Sequence, residues 1–275
     1  MAGGIVRSVI APHTPRMGVE AKAPAFLKGV IAGLRSLGEE VRAAQPDVLV
    51  VQSTHYVSTF NWYATCQALH EGHCVADEAP DLIPGIPYRR KGDPEFAQAI
   101  VAEVGGLGIP CNRNESEHFQ WDYGSWVPLH YMDPGQTLPA VLVPTCLMSS
   151  LDECLTVGGA IRAAAEKTGR KAVFVASTAL AHKLVRGPGV WPSEVHQQMD
   201  REFIAQLVEG RITDAKRNIY AYSEAVVAEM GGRVLATMLG CLDDKGGARF
   251  SGKMHGAYGQ SSGSGNACIA VRSAA

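Results

Sequence analysis

Residues 50–59 read VVQSTHYVST, the end of an apolar, β-branched run that stops at a histidine. From Val48 to Gln52 the run shows no polar alternation, the pattern of a strand covered on both faces rather than one with a face open to water. Similar runs occupy Ile5 to Ala11, Ala140 to Val143, Ala172 to Ala176 and Cys268 to Val271. Segments of helical period lie between them. Ala25 to Ala44 spaces Phe26, Val30, Leu34, Leu37 and Val41 three and four apart. Asp93-Pro94-Glu95 opens a second helix with an N-cap and a first-turn proline, and Leu151 to Lys167 and Glu194 to Glu209 supply two more. Strands alternating with helices predict an α/β fold: a central, largely parallel or mixed sheet flanked by helices on both faces. Phe60 to Lys91, broken repeatedly by glycine and proline, reads as an excursion over the edge or mouth of that sheet. No linker and no fixed-period repeat divides the chain, so residues 1–275 are expected to form a single catalytic domain.

Composition narrows the class. With 25 basic and 27 acidic residues the net charge is -2, so no field favours nucleic acid or an anionic membrane. The seven cysteines are scattered with no C-x-x-C pair, and read as reduced thiols of a cytoplasmic protein. Neither a signal peptide nor a membrane span is expected, because no apolar run is long enough. Asn114-Glu115-Ser116 then reads as a chance match to a glycosylation acceptor.

Two further histidines share the placement of His55. His13 ends the apolar run within IVRSVIAPHTP, and His182 follows the apolar run within AVFVASTALAHKL. In a parallel α/β sheet the carboxyl ends of the strands form a crevice where ligands bind, so three residues far apart in sequence can converge there. Taken singly, each is more often a hydrogen-bonded loop residue than a ligand. Imidazole can coordinate a metal or move protons near neutral pH. No H-x-x-x-H, no H-E-x-x-H and no cysteine cluster is present, which leaves a structural zinc site or a zincin unsupported. Two dispersed histidines need an oxygen ligand to complete a two-histidine, one-carboxylate triad, the arrangement that leaves half the coordination sphere of Fe(II) open. Glu229, in the apolar helical stretch AYSEAVVAEMGGRVLATMLGCL, is the best carboxylate by context, with Gly231-Gly232 beside it to allow close backbone approach. The same residues also read as a solvated helix end with glycines as the stop signal.

The stretches APHTPRM, DVLVVQSTHYV, HEGHCVADEAPDLI with GIPYRRKGDPEFAQAI, DYGSWVPLHYM, VASTALAHKL, AEMGGRVLATMLGCL and SSGSGNA agree in order and spacing with a known group. Over most of its length the chain resembles the class III extradiol ring-cleavage dioxygenases, the LigB-like group. It is most similar there to the branch of 3,4-dihydroxyphenylacetate 2,3-dioxygenase and 2-aminophenol 1,6-dioxygenase. The resemblance implies that His13, His55 and Glu229 bind Fe(II), with Mn(II) as the alternative, and that His182 is the acid–base residue. It makes ligand the favoured reading of Glu229. It also places Asp122, Tyr123 and Gly124 on the D-[YH]-G element, with Tyr123 donating to bound oxygen. The implied partners are O2, a small catechol or o-aminophenol opened to a muconic semialdehyde-type product, and other subunits, as a homo-oligomer or a hetero-oligomer with a related chain. His118, His130, Trp121 and Asp122 are candidate substrate contacts, although packing or surface roles are the plainer reading of the two histidines. His70 and His73 read as pocket wall or surface, and Arg89-Arg90-Lys91 as a solvated charge run. GQSSGSGN precedes a strand instead of opening a helix, so it reads as a turn at the mouth of the site and not as a phosphate loop. The rival readings are a non-catalytic partner subunit and a metal-dependent hydrolase on a similar frame.

Overall fold

The computed structural model describes residues 3–243 and 249–273. In chain order the elements are β1 (Gly4–Ile10), α1 (Lys28–Ala43), β2 (Val48–Ser58), β3 (Trp62–Thr65), β4 (Leu69–Val75) and β5 (Pro84–Lys91). They continue with α2 (Pro94–Gly106), β6 (Cys111–Asn114), α3 (Tyr123–Met132), β7 (Ala140–Cys146), α4 (Leu151–Thr168) and β8 (Lys171–Ser177). The last five are α5 (Glu194–Val208), α6 (Ile212–Ala225), α7 (Arg233–Gly240), β9 (Phe250–Ser261) and β10 (Ser264–Ser273).

Six strands form the central sheet in the order β7-β2-β8-β1-β10-β9. The first four run parallel, and β10 and β9 close one side as an antiparallel pair. Val48, Leu49, Val50 and Val51 are all fully buried because both faces are covered. Val48 and Val50 pack toward α2, α4, α5, α6 and α7, whereas Leu49 and Val51 pack toward α1 and α3. Full burial of each such side chain contributes about 1.5–3 kcal/mol, which is why these strands carry no polar face. Polar groups gather beyond β1, at the end of β8 and past Val51 within β2. The fold is therefore the expected α/β architecture with a mixed sheet.

The excursion after β2 is more regular than its sequence suggests. β3 pairs with β6 in parallel, and β4 pairs with β5 as an antiparallel ribbon. The Thr65 hydroxyl accepts from the Leu142 N–H, so this segment lies along the outer edge of β7. β9 also goes unmarked in the sequence, because FSGKMHGAYGQS is rich in glycine and polar residues. His255 on this strand is held between Ser36 and Glu40 of α1, at 2.9 Å on each side, and this anchors the edge.

The charge run Arg89-Arg90-Lys91 requires a correction. Arg90 is buried, donating to Asp133 Oδ2 at 2.5 Å and to the Leu138 carbonyl at 2.8 Å. Burial lowers its pKa while Asp133 opposes the shift, the balance expected of an enclosed ion pair. Among the described residues no helix is long and apolar enough to cross a membrane.

Candidate active site

His13 stands three residues beyond β1, and its Nδ1 lies 2.9 Å from Ser177 Oγ at the end of β8. The Ser177 hydroxyl gives its single proton to the Gly124 carbonyl, 2.5 Å away. It can therefore only accept from His13, so Nδ1 carries a proton and Nε2 is the nitrogen that faces the cavity, the atom free to serve as a ligand. That nitrogen lies 3.5 Å from Glu229 Oε1.

His55 owes its direction to an irregularity in β2. Pairing with β7 slips between Gln52 and Val57, and such a bulge re-aims the side chains within it. The His55 N–H donates to Ser53 Oγ at 3.0 Å, and Ser53 in turn donates to Asp122 Oδ1 at 2.5 Å. Its Nε2 lies 4.0 Å from Glu229 Oε1. Burial, then the charge on His13, lowers the His55 pKa against the pull of Glu229, favouring the neutral imidazole that a metal requires.

Glu229 is not in a helix, as its apolar surroundings suggested, nor at a solvated helix end. It opens a single 3-10 turn between α6 and α7 and is buried. Met230, Gly231 and Gly232 follow with φ of 48, 64 and 79°, three successive left-handed residues that swing the carboxylate inward. A Cβ at position 232 would meet Ser223 Oγ at 2.0 Å, so glycine is required there by space as well as by φ. The carboxylate accepts from the Ala179 N–H at 2.6 Å and from the Thr54 hydroxyl at 2.9 Å. Burial alone would raise its pKa. The charge and hydrogen bond of His13, followed by His182 and the Ala179 N–H, outweigh that and hold it well below the usual carboxylate range.

One ligand atom from each of His13, His55 and Glu229 lies within 4.8 Å of the others. Among the described residues this is the one group of three or more such side chains close enough to share an ion. Two imidazole nitrogens and a carboxylate oxygen, with a fixed tautomer and supporting hydroxyls, suit a first-row divalent metal.

The group opens into a cavity of about 320 Å³. His182 lines it too, with Nε2 3.6 Å from Glu229 Oε1. Tyr123, the first residue of α3, places its ring 4.1 Å from that of His55. Its hydroxyl donates to Glu78, and burial together with that bond pushes the phenol pKa far up. The proton expected to reach a bound oxygen is therefore engaged with Glu78 in this structure. Ser261, Ser262 and Ser264, from the glycine-rich turn, line the mouth.

The remaining candidates lie elsewhere. Asp122 caps α3, accepting from the Ser125 N–H at 2.9 Å, and so supports His55 through Ser53 without lining the cavity. Gly124 follows because a Cβ there would meet Ser53 Oγ at 2.3 Å. Trp121 is stacked on Tyr88 at 5.1 Å, away from the cavity lining. His130 stacks on Trp126 at 4.5 Å, and His118 is exposed on a turn; neither lines the cavity. His70 is buried with Nε2 3.2 Å from the Ala140 carbonyl, and His73 is exposed. Thr54, Ser177, Glu78 and Arg16 were missed. Thr54 sits within β2 just past its apolar run and Ser177 at the end of the neighbouring β8, but hydroxyls are too common in such places to stand out.

Residues 8–267 match the family model described as the catalytic LigB subunit of aromatic ring-opening dioxygenase. The chain belongs to the LigB family. Among curated relatives it is 24% identical over 234 residues to the 3,4-dihydroxyphenylacetate 2,3-dioxygenase of Escherichia coli, covering 82% of this chain and 84% of that one. It is 25% identical over 290 residues to the 2-aminophenol 1,6-dioxygenase beta subunit of a Pseudomonas species, covering 97% and 93%. The crystal structure of an uncharacterized E. coli K12 protein superposes with a TM-score of 0.68 at 18% identity, covering 97% of this LigB chain and 99% of the other. That likeness concerns the fold alone.

Proposed function

We propose that this LigB-family chain is a non-haem Fe(II) extradiol dioxygenase, opening a catechol or o-aminophenol ring with both atoms of O2. The observation that carries the reading is the His13–His55–Glu229 group facing a cavity that also holds His182. Mn(II) suits the same donor set. Bound there, the metal would leave positions open for the two adjacent ring heteroatoms and for dioxygen, holding both reactants together.

The chain's own residues supply the rest. His182 Nε2 takes a proton from a ring hydroxyl and returns one as the ring opens. The Ser177 hydroxyl keeps His13 in one tautomer, and the Thr54 hydroxyl keeps the Glu229 carboxylate from rotating. Tyr123 walls the cavity beside His55, with Glu78 fixing its hydroxyl. Ala79, Leu82 and Leu184 give the ring an apolar surface. All seven cysteines are free thiols, in keeping with a reducing compartment, and assembly with a second copy or a related subunit belongs to the same reading.

The test is anaerobic loading with Fe(II), followed by oxygen uptake and product absorbance with a panel of catechols and aminophenols. One O2 consumed per ring opened, lost in His182→Ala at unchanged metal content, is the expected result. Iron-loaded protein that leaves every ring intact would refute ring cleavage, and protein that takes up no metal would favour the partner-subunit reading.

A further inference from the structure

Besides its histidines, the cavity is lined by three charged side chains: Glu229, Glu78 and Arg16. Both carboxylates are engaged. Glu229 lies among three imidazoles and accepts from Thr54 and Ala179, while Glu78 accepts from Tyr123 and lies 3.8 Å from His55 Nδ1. Arg16 is different: among the described residues it forms no hydrogen bond, ion pair or ring contact.

Its backbone is nonetheless well held. Arg16 is the middle residue of the 3-10 turn Pro15–Met17, three positions beyond His13. Met17 is fully buried, and its carbonyl accepts from the Tyr131 hydroxyl. The turn is thus pinned on one side by His13 and on the other by Met17. It presents a half-buried guanidinium to the same space as the metal ligands. A planar, permanently charged donor fork, partly withdrawn from water and without an internal anion, matches an external carboxylate.

We propose that Arg16 binds a carboxylate on the substrate, so that the site selects an acidic catechol or aminophenol over its uncharged analogue. The ring's identity rests on the proposed ring cleavage; the anion preference rests on Arg16. A cavity of about 320 Å³ lies at the small end of ligand sites, which restricts the substrate to one ring with a short acidic arm. Glu78 in the same cavity disfavours a dianion such as a phosphate, leaving a single carboxylate as the match for one guanidinium.

The experiment is calorimetric titration of the iron-loaded protein under nitrogen with 3,4-dihydroxyphenylacetate and with 4-methylcatechol. The acid is expected to bind about tenfold or more tightly, a margin ordinary for one charge-assisted contact. Arg16→Gln is expected to bring the two affinities to within about twofold, and Arg16→Lys, which keeps the charge but not the fork, to fall between. Equal affinities in the parent, or an unchanged ratio in Arg16→Gln, would overturn the proposal. If the preference holds but admitted oxygen leaves both rings intact, ring cleavage falls and Arg16 stands. If both rings open without the preference, Arg16 falls and ring cleavage stands. If neither catechol binds, both fall.

Discussion

Thr54→Val removes one hydroxyl and nothing else of comparable size. Thr54 is 1% exposed, and its hydroxyl donates to Glu229 Oε1 at 2.9 Å, so no water can take its place. The carboxylate would keep the Ala179 N–H and the Thr178 hydroxyl, both on its other oxygen, while Oε1 would lose the donor that fixes its direction. A hydrogen bond to a charged group is worth about 1.5–3 kcal/mol net, and each 1.4 kcal/mol is tenfold in an equilibrium constant. Removing a group that orients a metal ligand typically weakens the metal by ten- to a hundredfold. Metal affinity in Thr54→Val is therefore expected to fall by roughly ten- to a hundredfold, with one binding site retained. The assay is competition against a chelating dye, with near-ultraviolet circular dichroism to show that packing is kept. Thr54→Ser, which restores the hydroxyl, is expected to recover most of the affinity. A dissociation constant for Thr54→Val within about twofold of the parent would refute the role assigned to this hydroxyl. Equal weakening by Val and Ser would refute it as well.

His70 provides a pH test away from the cavity. Burial lowers its pKa to about 4, while the unfolded chain keeps a value near 6.5. The unfolded state therefore binds the extra proton, and the stability held above pH 6.5 is lost as pH falls toward 4, by roughly 3 kcal/mol in all. Denaturant titrations at several pH values should show this slope in the parent and a shallower one in His70→Gln; identical slopes would remove His70 as the cause. Arg90→Met should destabilise by about 3–5 kcal/mol because it leaves Asp133 buried without its partner. Arg90→Met with Asp133→Leu should recover much of that in urea denaturation.

The end of the sheet that carries the candidate site was legible because apolar runs give way to polar residues along three strands. β1 and β8 carry apolar runs, and His13 and His182 stand three and five residues beyond their ends, while His55 lies within β2, just past its apolar run and where its pairing with β7 slips. Glu229 was visible only as a carboxylate in apolar company. The turn that aims it depends on left-handed backbone at Met230, Gly231 and Gly232, which the residue types permit without specifying. Arg90 looked solvated because a run of cations says nothing of Asp133, which lies 43 positions away. His118 and His130 are close to Tyr123 in sequence, but α3 carries His130 away onto Trp126, and the turn before it leaves His118 in solvent. The proton on Tyr123 depended on Glu78, which reaches it from the loop between β4 and β5. Contacts between segments, more than the segments themselves, were what the sequence concealed.

Metal binding measured by equilibrium dialysis against Fe(II) under nitrogen, with total-metal analysis, bears on the three-ligand centre most directly. One ion per chain is expected for the parent and for His182→Ala, and none held tightly by His13→Ala, His55→Ala or Glu229→Gln. A Glu229→Gln protein that keeps the parent's full complement of iron would contradict the centre described here.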